Sequence, residues 1–240
     1  MNLTVEQASL LVERLSRNIE HPEHDIVLCP GFVAVFPLAQ VLRQRGLDKL
    51  FALGVQNLND HDEGAFTGEV SGSQVRDFVS YAIIGHSERR MYYHEDDELV
   101  ARKLAAAVRH DLTPILCVGE TLIQHDAGHA QQVVSDQLAE DLDGLTAEDA
   151  ASLVVAYEPI WAIGNGKFDS PDDADVMMAH IREVLAGHFD AATAKKIRIL
   201  YGGSVDDANA ASYLAVRDCG GLLVGHASID HEKFARIAHA

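Results

Sequence analysis

Residues 81–120 read YAIIGHSERRMYYHEDDELVARKLAAAVRHDLTPILCVGE, and this stretch contains the unit from which the rest of the fold can be predicted. Two short, continuously apolar runs, at 81–84 and 113–118, flank a segment at 98–109 in which apolar residues recur at helical spacing. A strand that is apolar on both faces needs cover on both faces, and a parallel sheet receives that cover from its helices. The stretch therefore predicts two parallel strands joined by a crossover helix.

The same alternation extends over the whole chain. Apolar runs of strand length lie at 25–29, 50–55, 81–84, 113–118, 153–156, 197–200 and 222–224. Helical periodicity at 130–141 and 173–186 separates later runs, with Ser170-Pro171 as a start signal for the second of these helices. A first helix has a capping box, Thr4 with Gln7, and one apolar face formed by Val5, Ala8, Val12, Leu15 and Ile19. We expect one α/β domain over residues 1–240, either an open doubly wound sheet or a closed barrel.

Polar residues and glycines follow each apolar run directly. They are Pro30-Gly31, Gln56-Asn57, Gly85-His86, Gly119-Glu120, Glu158-Pro159, Gly202-Gly203 and Gly225-His226. Active sites of parallel α/β folds form at the carboxyl ends of the strands, so these positions are where chemistry is expected. The sequence has neither GxGxxG nor GxxxxGK[ST], which disfavours a dinucleotide or P-loop nucleotide site.

Composition disfavours several other classes of function. The formal net charge of −18 argues against nucleic-acid binding, which needs clustered Lys and Arg. The apolar runs are far too short to span a bilayer, so no membrane partner is expected. The first residues mix acids with apolar positions and carry no basic segment, so we expect no secretory signal and a cytoplasmic protein.

The cysteines and histidines do not form ligand patterns. Three cysteines, far apart and without a CxxC pair, predict reduced thiols: Cys29, Cys117 and Cys219. Two histidine pairs are interpreted as surface residues: His21 with His24, and His125 with His129. No His/Asp/Glu set has the spacing of metal ligands, so we expect no metal.

Two side chains at strand ends are candidates for catalysis. Glu158 lies between Tyr157 and Pro159 at the end of an apolar run, where a carboxylate is costly unless it is exposed or used. The alternative for Glu158 is a solvated loop acid. His86 precedes a predicted helix start at Ser87, and a histidine on a strand end is more often a hydrogen-bonded core residue than a catalyst.

Several segments together resemble one known family. They are YAIIGHSERR at 81–90, PILCVGE at 114–120, AYEPIWAIGNGK at 156–167, LYGGSV at 200–205 and LLVGHAS at 222–228. In this order, and over essentially the whole chain, they resemble triosephosphate isomerase. The resemblance implies a TIM (β/α)8 barrel that interconverts D-glyceraldehyde 3-phosphate and dihydroxyacetone phosphate, in glycolysis and gluconeogenesis, with no cofactor.

The resemblance also implies roles for individual residues. Glu158 would be the base and His86 a neutral electrophile, roles for which this family is itself the standard example. Glu88 would be either a supporting acid or a helix-dipole partner, and both readings stay open. Residues 159–167 would form a lid. The remaining implied substrate-binding residues are Ile163 and Leu223, packed over Glu158, and Gly164, Ser204, Gly225 and His226 around the phosphate. The family usually has glycine where His226 stands.

One departure concerns the amino end. The family's first strand ends in an Asn-x-Lys segment whose lysine neutralises the substrate, and Met1-Asn2 aligns just after it. Lys49, Lys103 and Lys167 do not match that position. With seven runs counted where the barrel has eight strands, we expect the first β-strand to be absent from these residues and catalysis to be impaired. A start placed too late and a genuinely shortened protein both stay open.

The resemblance further implies a homodimer in which the loop carrying Thr67 reaches the partner's site. Absence of the first strand would remove part of the surface that receives this loop. Two competing functions remain. One is a catalytically inactive barrel homologue with a binding or structural role. The other is a different phosphosugar barrel enzyme, which the combined HSERR, EPIWAIG and YGGSV segments disfavour.

Overall fold

The computed structural model describes residues 1–19, 24–163 and 169–240. The strands are β1 (Ile26–Leu28), β2 (Phe51–Val55), β3 (Tyr81–Ile84), β4 (Thr113–Val118), β5 (Val154–Tyr157), β6 (Arg198–Tyr201) and β7 (Cys219–Leu222). All neighbouring strands are parallel, and their order in the sheet is their order in the chain. A doubly wound sheet reverses its strand order at a switch point, so this order excludes the open alternative. The fold is α/β, a seven-stranded parallel sheet curled into a partial TIM-type barrel.

Helices surround the sheet. They are α1 (Val5–Asn18), α2 (Phe32–Arg45), α3 (Gly72–Val75), α4 (Ser87–Tyr93), α5 (Asp97–Arg109), α6 (Leu122–Asp126), α7 (Ala130–Asp141), α8 (Pro171–His188), α9 (Ala191–Lys196), α10 (Ala210–Leu214) and α11 (His231–Ala238). Short 3₁₀ helices lie at Asp149–Ser152, Ile160–Ala162 and His226–Ile229. The first and last helices, α1 and α11, pack against each other. In the described ranges no helix is long and apolar enough to cross a membrane.

The helix start signals read from the sequence are confirmed. The backbone N–H of Gln7 donates to Thr4 Oγ1 at 3.2 Å, and the N–H of Thr4 donates to Gln7 Oε1 at 2.9 Å. Ser170 caps α8, and Pro171 is its first residue. Of the apolar face predicted for α1, the buried members are Ala8, Val12, Leu15 and Ile19, while Val5 is half-buried.

The first six predicted strands lie within one residue of the observed ones, whereas the seventh was placed wrongly. The apolar run 222–224 predicted that strand, but β7 runs over Cys219–Leu222. Gly220 and Gly221 interrupt the apolar pattern there, and the β6–β7 pairing has a register irregularity between Ile199 and Tyr201. A strand that contains two glycines has little apolar signal to detect.

The core has two layers. Between sheet and helices lies a large apolar cluster that includes Leu15, Leu104 and Leu116. A smaller one on the other face of the sheet contains Ile83, Ile115, Cys117 and Ala156. The three cysteines are free.

Candidate active site

The in-register sheet brings the carboxyl ends of β3, β5 and β6 to one edge. Tyr157, the last residue of β5, pairs with Val118 on one side and Tyr201 on the other. The backbone continues this pairing beyond the strand, since the N–H of Glu158 donates to the carbonyl of Val118 at 2.8 Å. Glu158 therefore has a backbone position fixed by the sheet rather than by a loop.

Glu158 and His86, the two residues singled out as catalytic candidates, lie side by side. His86 Nε2 is 3.0 Å from Glu158 Oε1. The other carboxylate oxygen, Oε2, accepts the backbone N–H of Ser87 at 2.9 Å. Glu158 is 2% exposed, so two N–H donors satisfy a carboxylate that would be costly to bury alone. Glu158 is thus not a solvated loop acid.

The other ring nitrogen of His86 caps helix α4. The backbone N–H of Glu88 donates to His86 Nδ1 at 3.3 Å, so the neutral ring carries its proton on Nε2 and donates it to Glu158. Burial, the largest effect, lowers the pKa of His86. The hydrogen bond that His86 donates to Glu158 and the negative charge of that carboxylate outweigh burial, so the pKa of His86 is raised above the usual histidine value. While it accepts this hydrogen bond, the carboxylate thus opposes the neutral state of His86 that the resemblance implies.

Glu88 lies at the rim of the site. Its side chain is 73% exposed, and Oε2 is 3.9 Å from His86 Nδ1. It is the acidic residue in the first turn of α4, the position where a carboxylate interacts favourably with the helix dipole. The exposure and position of Glu88 favour an interaction with the dipole of helix α4 over direct contact with a bound molecule.

Two glycines allow close approach around Glu158. A Cβ on Gly119 would lie 1.8 Å from the carbonyl oxygen of Glu158, and one on Gly202 would lie 3.1 Å from its Cγ. The sequence identified both as strand-end glycines but gave no sign of what they contact. Leu223 lies on the same side, since its Cβ is 3.6 Å from the position of a Cβ on Gly202.

Arg90 anchors the strand end that carries His86, a role the sequence analysis missed. Its Nε donates to the carbonyl of Gly85 at 2.8 Å, and its guanidinium pairs with Asp97 and, at 2.6 Å, with Asp141. Burial, the largest effect, raises the pKa of Asp141 to about 8 although Arg90 lowers it. Arg90 belongs to the HSERR segment, but its two partners come from α5 and α7 and have no motif of their own.

A second buried carboxylate, Glu120, lies at the end of β4 and was also missed as a site residue. Tyr157 Oη donates to it at 3.2 Å and Trp161 Nε1 donates at 2.6 Å. The N–H of Ile160 donates to the backbone carbonyl of Glu120 at 3.1 Å. Glu120 therefore holds the segment that directly follows Glu158. The sequence signals for Glu120 were its position after an apolar run and its place at the end of the PILCVGE segment.

The residues expected around a phosphate lie at the ends of β6 and β7. Ser204 is half-buried, and Gly225 and His226 are exposed. His226 begins the 3₁₀ helix His226–Ile229 and does not have a positive φ, so replacing glycine here causes no left-handed strain. Ile163 is 37% exposed. Gly164 lies outside the described residues, as does most of the expected lid tip.

Among the described residues, no group of three or more His, Cys, Asp or Glu side chains is arranged to hold a metal ion. The strand ends present a buried carboxylate, an imidazole N–H and the backbone of glycine-rich turns. A partial barrel with a buried carboxylate and an imidazole in contact at its strand ends is typical of the α/β-barrel enzymes.

Comparisons with known proteins give the family. The family model described as Triosephosphate isomerase matches residues 1–240. A protein of Symbiobacterium thermophilum named Triosephosphate isomerase is 45% identical over 236 residues, covering 98% of this chain and 91% of that protein. Proteins of the same name from Moorella thermoacetica and Clostridium perfringens are 46% and 41% identical over 240 residues, all of this chain, and are covered to 94% and 95%. The chain belongs to the triosephosphate isomerase family.

Proposed function

We propose that this chain interconverts D-glyceraldehyde 3-phosphate and dihydroxyacetone phosphate by proton transfer at Glu158 with polarisation of the carbonyl by His86. The observation that carries the proposal is the 3.0 Å approach of His86 Nε2 to the buried carboxylate of Glu158. A base and a hydrogen-bond donor in contact can act on adjacent atoms of one small substrate.

The reaction needs no oxidant and no external reactant. The Glu158 carboxylate takes a proton from the carbon next to the carbonyl, and the electron pair moves onto the carbonyl oxygen to give an enediolate. His86 Nε2–H donates a hydrogen bond to that oxygen as its charge develops. Return of the proton from Glu158 to the neighbouring carbon, with proton movement between the two oxygens, gives the isomer.

Substrate binding must change the contact between His86 and Glu158. His86 Nε2–H cannot donate fully to both Glu158 and a carbonyl oxygen. When the carbonyl takes that donor, Glu158 loses the hydrogen bond that raises the pKa of His86. The contact from the Glu88 N–H to Nδ1 then favours the neutral ring.

The strongly acidic chain repels an anionic substrate, so the phosphate must be held by local hydrogen-bond donors such as backbone N–H groups. Glycine-rich turns can present N–H groups to a dianion without a cationic side chain. We assign phosphate binding to Ser204 and to the turn at Gly225-His226, which lie next to the strand ends that carry His86 and Glu158. Ile163 and Leu223 provide apolar cover for Glu158. The assignment of Gly164 to phosphate binding rests on the sequence alone.

The direct test is a steady-state assay with glyceraldehyde 3-phosphate, following dihydroxyacetone phosphate through an NADH-coupled dehydrogenase. Glu158→Gln should abolish turnover, while Glu88→Gln, which changes an exposed carboxyl near the same histidine, should retain most of it. Equal loss in both variants would contradict the proposal.

The rate itself is a separate expectation. If the lysine of an Asn-x-Lys segment neutralises the enediolate, the polypeptide of these 240 residues should have a low kcat. We expect it to be about a thousandfold or more below that of the same polypeptide with such a segment. Fusing a strand that ends in Asn-x-Lys before Met1 should restore the rate. A high rate without the fusion would contradict this part. Ligand binding without turnover, even with the fusion, would favour the inactive-homologue alternative.

We also propose a homodimer in the cytoplasm. Thr67 lies in an exposed loop beside Phe66, which is 42% exposed, and further exposed apolar surface is provided by Met91, Tyr92 and Tyr93. Three free thiols fit a reducing compartment. Light scattering after size exclusion tests the dimer, and Thr67→Arg should weaken it. Cell fractionation tests the location.

A further inference from the structure

A buried carboxyl group that the isomerisation does not use lies just before helix α8. Asp169 is 2% exposed, and its Oδ2 atom has no hydrogen-bond partner among the described residues. Within those residues, no Lys or Arg forms an ion pair with it. A buried carboxylate without a cation is strongly unfavourable, whereas a neutral carboxylic acid is tolerated.

Asp169 is surrounded by tyrosines and other acids. The Tyr213 hydroxyl donates to its backbone carbonyl. Tyr213 stacks on Tyr201, with ring centroids 3.9 Å apart and an interplanar angle of 12°. The titratable groups whose charge acts on the Asp169 carboxyl are Asp173 of α8 and Glu120, which follows β4. The charge of Asp169 acts in turn on three tyrosines: Tyr157 of β5, Tyr201 of β6 and Tyr213 of α10. We call Asp169 with these three tyrosines and Glu120 the tyrosine cluster.

The tyrosine cluster contacts the proposed substrate site through Tyr201. The Tyr201 hydroxyl makes no hydrogen bond of acceptable geometry with the described residues. It lies against Gly203, where a Cβ would be 2.3 Å from that oxygen and 3.0 Å from Pro159 Cγ. Gly203 precedes Ser204, and Pro159 follows Glu158. A shift of Tyr201 would therefore be transmitted to both parts of the site.

We propose that Asp169 is a proton-dependent positioning residue, whose carboxyl group keeps the tyrosine cluster packed against Gly203 only while it is neutral. Ionisation would draw the carboxylate towards solvent, release Tyr213 and loosen the turn at Gly203-Ser204. The expected effect on substrate binding rests on the proposed function, whereas the expected change in the packing of the tyrosine cluster does not.

Burial and the neighbouring acids determine in which direction pH should change the packing of the tyrosine cluster. Burial is the largest cause and raises its pKa to about 7, with further raising by Asp173 and Glu120 and a smaller lowering by the Ser170 N–H. The neutral acid therefore persists to near-neutral pH, far above the range where a solvated aspartate ionises. Raising the pH through this range should loosen the cluster.

Trp161 is a suitable reporter, because it is the only tryptophan of the chain and donates to Glu120 inside the same cluster. The His125 ring lies beside it, with ring centroids 4.2 Å apart and an interplanar angle of 32°. Because an imidazole can titrate in the same range, all proteins compared should carry His125→Gln. Fluorescence of the ligand-free proteins is then recorded from about pH 5.5 to about pH 8.5.

The parent with Asp169 should show one transition near neutral pH, and Asp169→Asn should remain at the low-pH level throughout. Asp172→Asn, an exposed carboxyl in the first turn of α8, is the matched control and should keep the transition. A flat parent signal, or the same transition in Asp169→Asn, would overturn the proposal. Circular dichroism of each protein checks that it is folded.

Kinetics then test the link to the substrate turn. The ratio of KM in the parent to KM in Asp169→Asn should be near one at low pH and rise about three-fold or more above neutrality, with kcat changing less. Both proteins receive the same substrate at each pH, so the effect of phosphate ionisation on KM cancels in this ratio. A constant ratio would overturn the positioning role. Absence of turnover in every protein would count against the proposed function alone, since the fluorescence result would stand.

Discussion

His86 Nε2 and Glu158 Oε1 are 3.0 Å apart, although the two residues are separated by more than 70 positions and follow different strands of the sheet. The parallel register of β3 to β5 creates this contact, because it brings the carboxyl ends of the strands to one edge. The contact joins the two groups that the proposed reaction needs, a proton acceptor and a proton donor. It also determines how each behaves before substrate binds.

The length of the Glu158 side chain should matter as much as its charge. Glu158→Asp keeps the carboxylate but withdraws it by one methylene from the position fixed by the Ser87 N–H and His86. We expect kcat to fall by about a hundredfold or more, with KM changing much less. Steady-state kinetics measure this split. A variant with normal kcat would show that Glu158 is not the base.

The pKa of His86 should depend on Glu158. Burial lowers this pKa, but the hydrogen bond to Glu158 and the charge of that carboxylate raise it more. Glu158→Gln removes the raising effects, so the His86 pKa should fall below that in the parent protein. Titration of the imidazole nitrogens by NMR measures both values. An unchanged pKa would refute the pairing.

The same pair predicts a pH dependence of stability. A raised native pKa means that His86 contributes stability at pH values below the pKa of an unfolded histidine, and that this contribution is lost as pH rises through the native pKa. Chemical denaturation across this range should show a decline in unfolding free energy that Glu158→Gln reduces. His86→Gln should reduce it equally. An identical decline in all three proteins would rule the pair out as its source.

Gly119 should tolerate no side chain. A Cβ there would lie 1.8 Å from the Glu158 carbonyl oxygen, so Gly119→Ala must displace the backbone of the base. We expect a loss of about 3 kcal/mol or more in unfolding free energy and at least about a hundredfold in kcat. Gly187→Ala is the control, because nothing lies within 4 Å of its Cβ position in α8. Its unfolding free energy should change by less than about 1 kcal/mol.

Arg90 should be far more important for stability than an exposed arginine. Arg90→Ala leaves the fully buried carboxyl of Asp141 and the carbonyl of Gly85 without their hydrogen-bond donor, so we expect a loss of about 3 kcal/mol or more in unfolding free energy. Arg198→Ala removes an ion pair whose side chains are 57% and 64% exposed, and should cost less than about 1 kcal/mol. Denaturant unfolding of both variants compares them. Similar losses would show that Arg90 is not an anchor.

The strands were predictable wherever apolar residues were continuous, as at Thr113–Val118, and unpredictable where Gly220 and Gly221 diluted the signal. The alternation of strands and helices did not distinguish a barrel from an open sheet, because both have the same local pattern. Only the order of strand pairing separates them, and that is a tertiary property.

For the site, motifs located His86 and Glu158 but not the groups that hold them. Arg90 depends on Asp141, which comes from a distant helix and carries no motif. Asp169 illustrates the same limit, since aspartate before a helix start is usually a solvated residue. In the structure Asp169 is buried next to Tyr213, which follows it by more than 40 positions and stacks on Tyr201. Spacing along the chain cannot reveal such contacts.

Proton transfer by Glu158 can be observed directly by incubating dihydroxyacetone phosphate with the protein in deuterium oxide and following the carbon-bound protons by NMR. We expect deuterium to replace one of the two protons on the hydroxymethyl carbon next to the carbonyl in the presence of the parent protein, and no enzyme-dependent exchange with Glu158→Gln. Exchange that persists at the parent rate in Glu158→Gln would contradict the account.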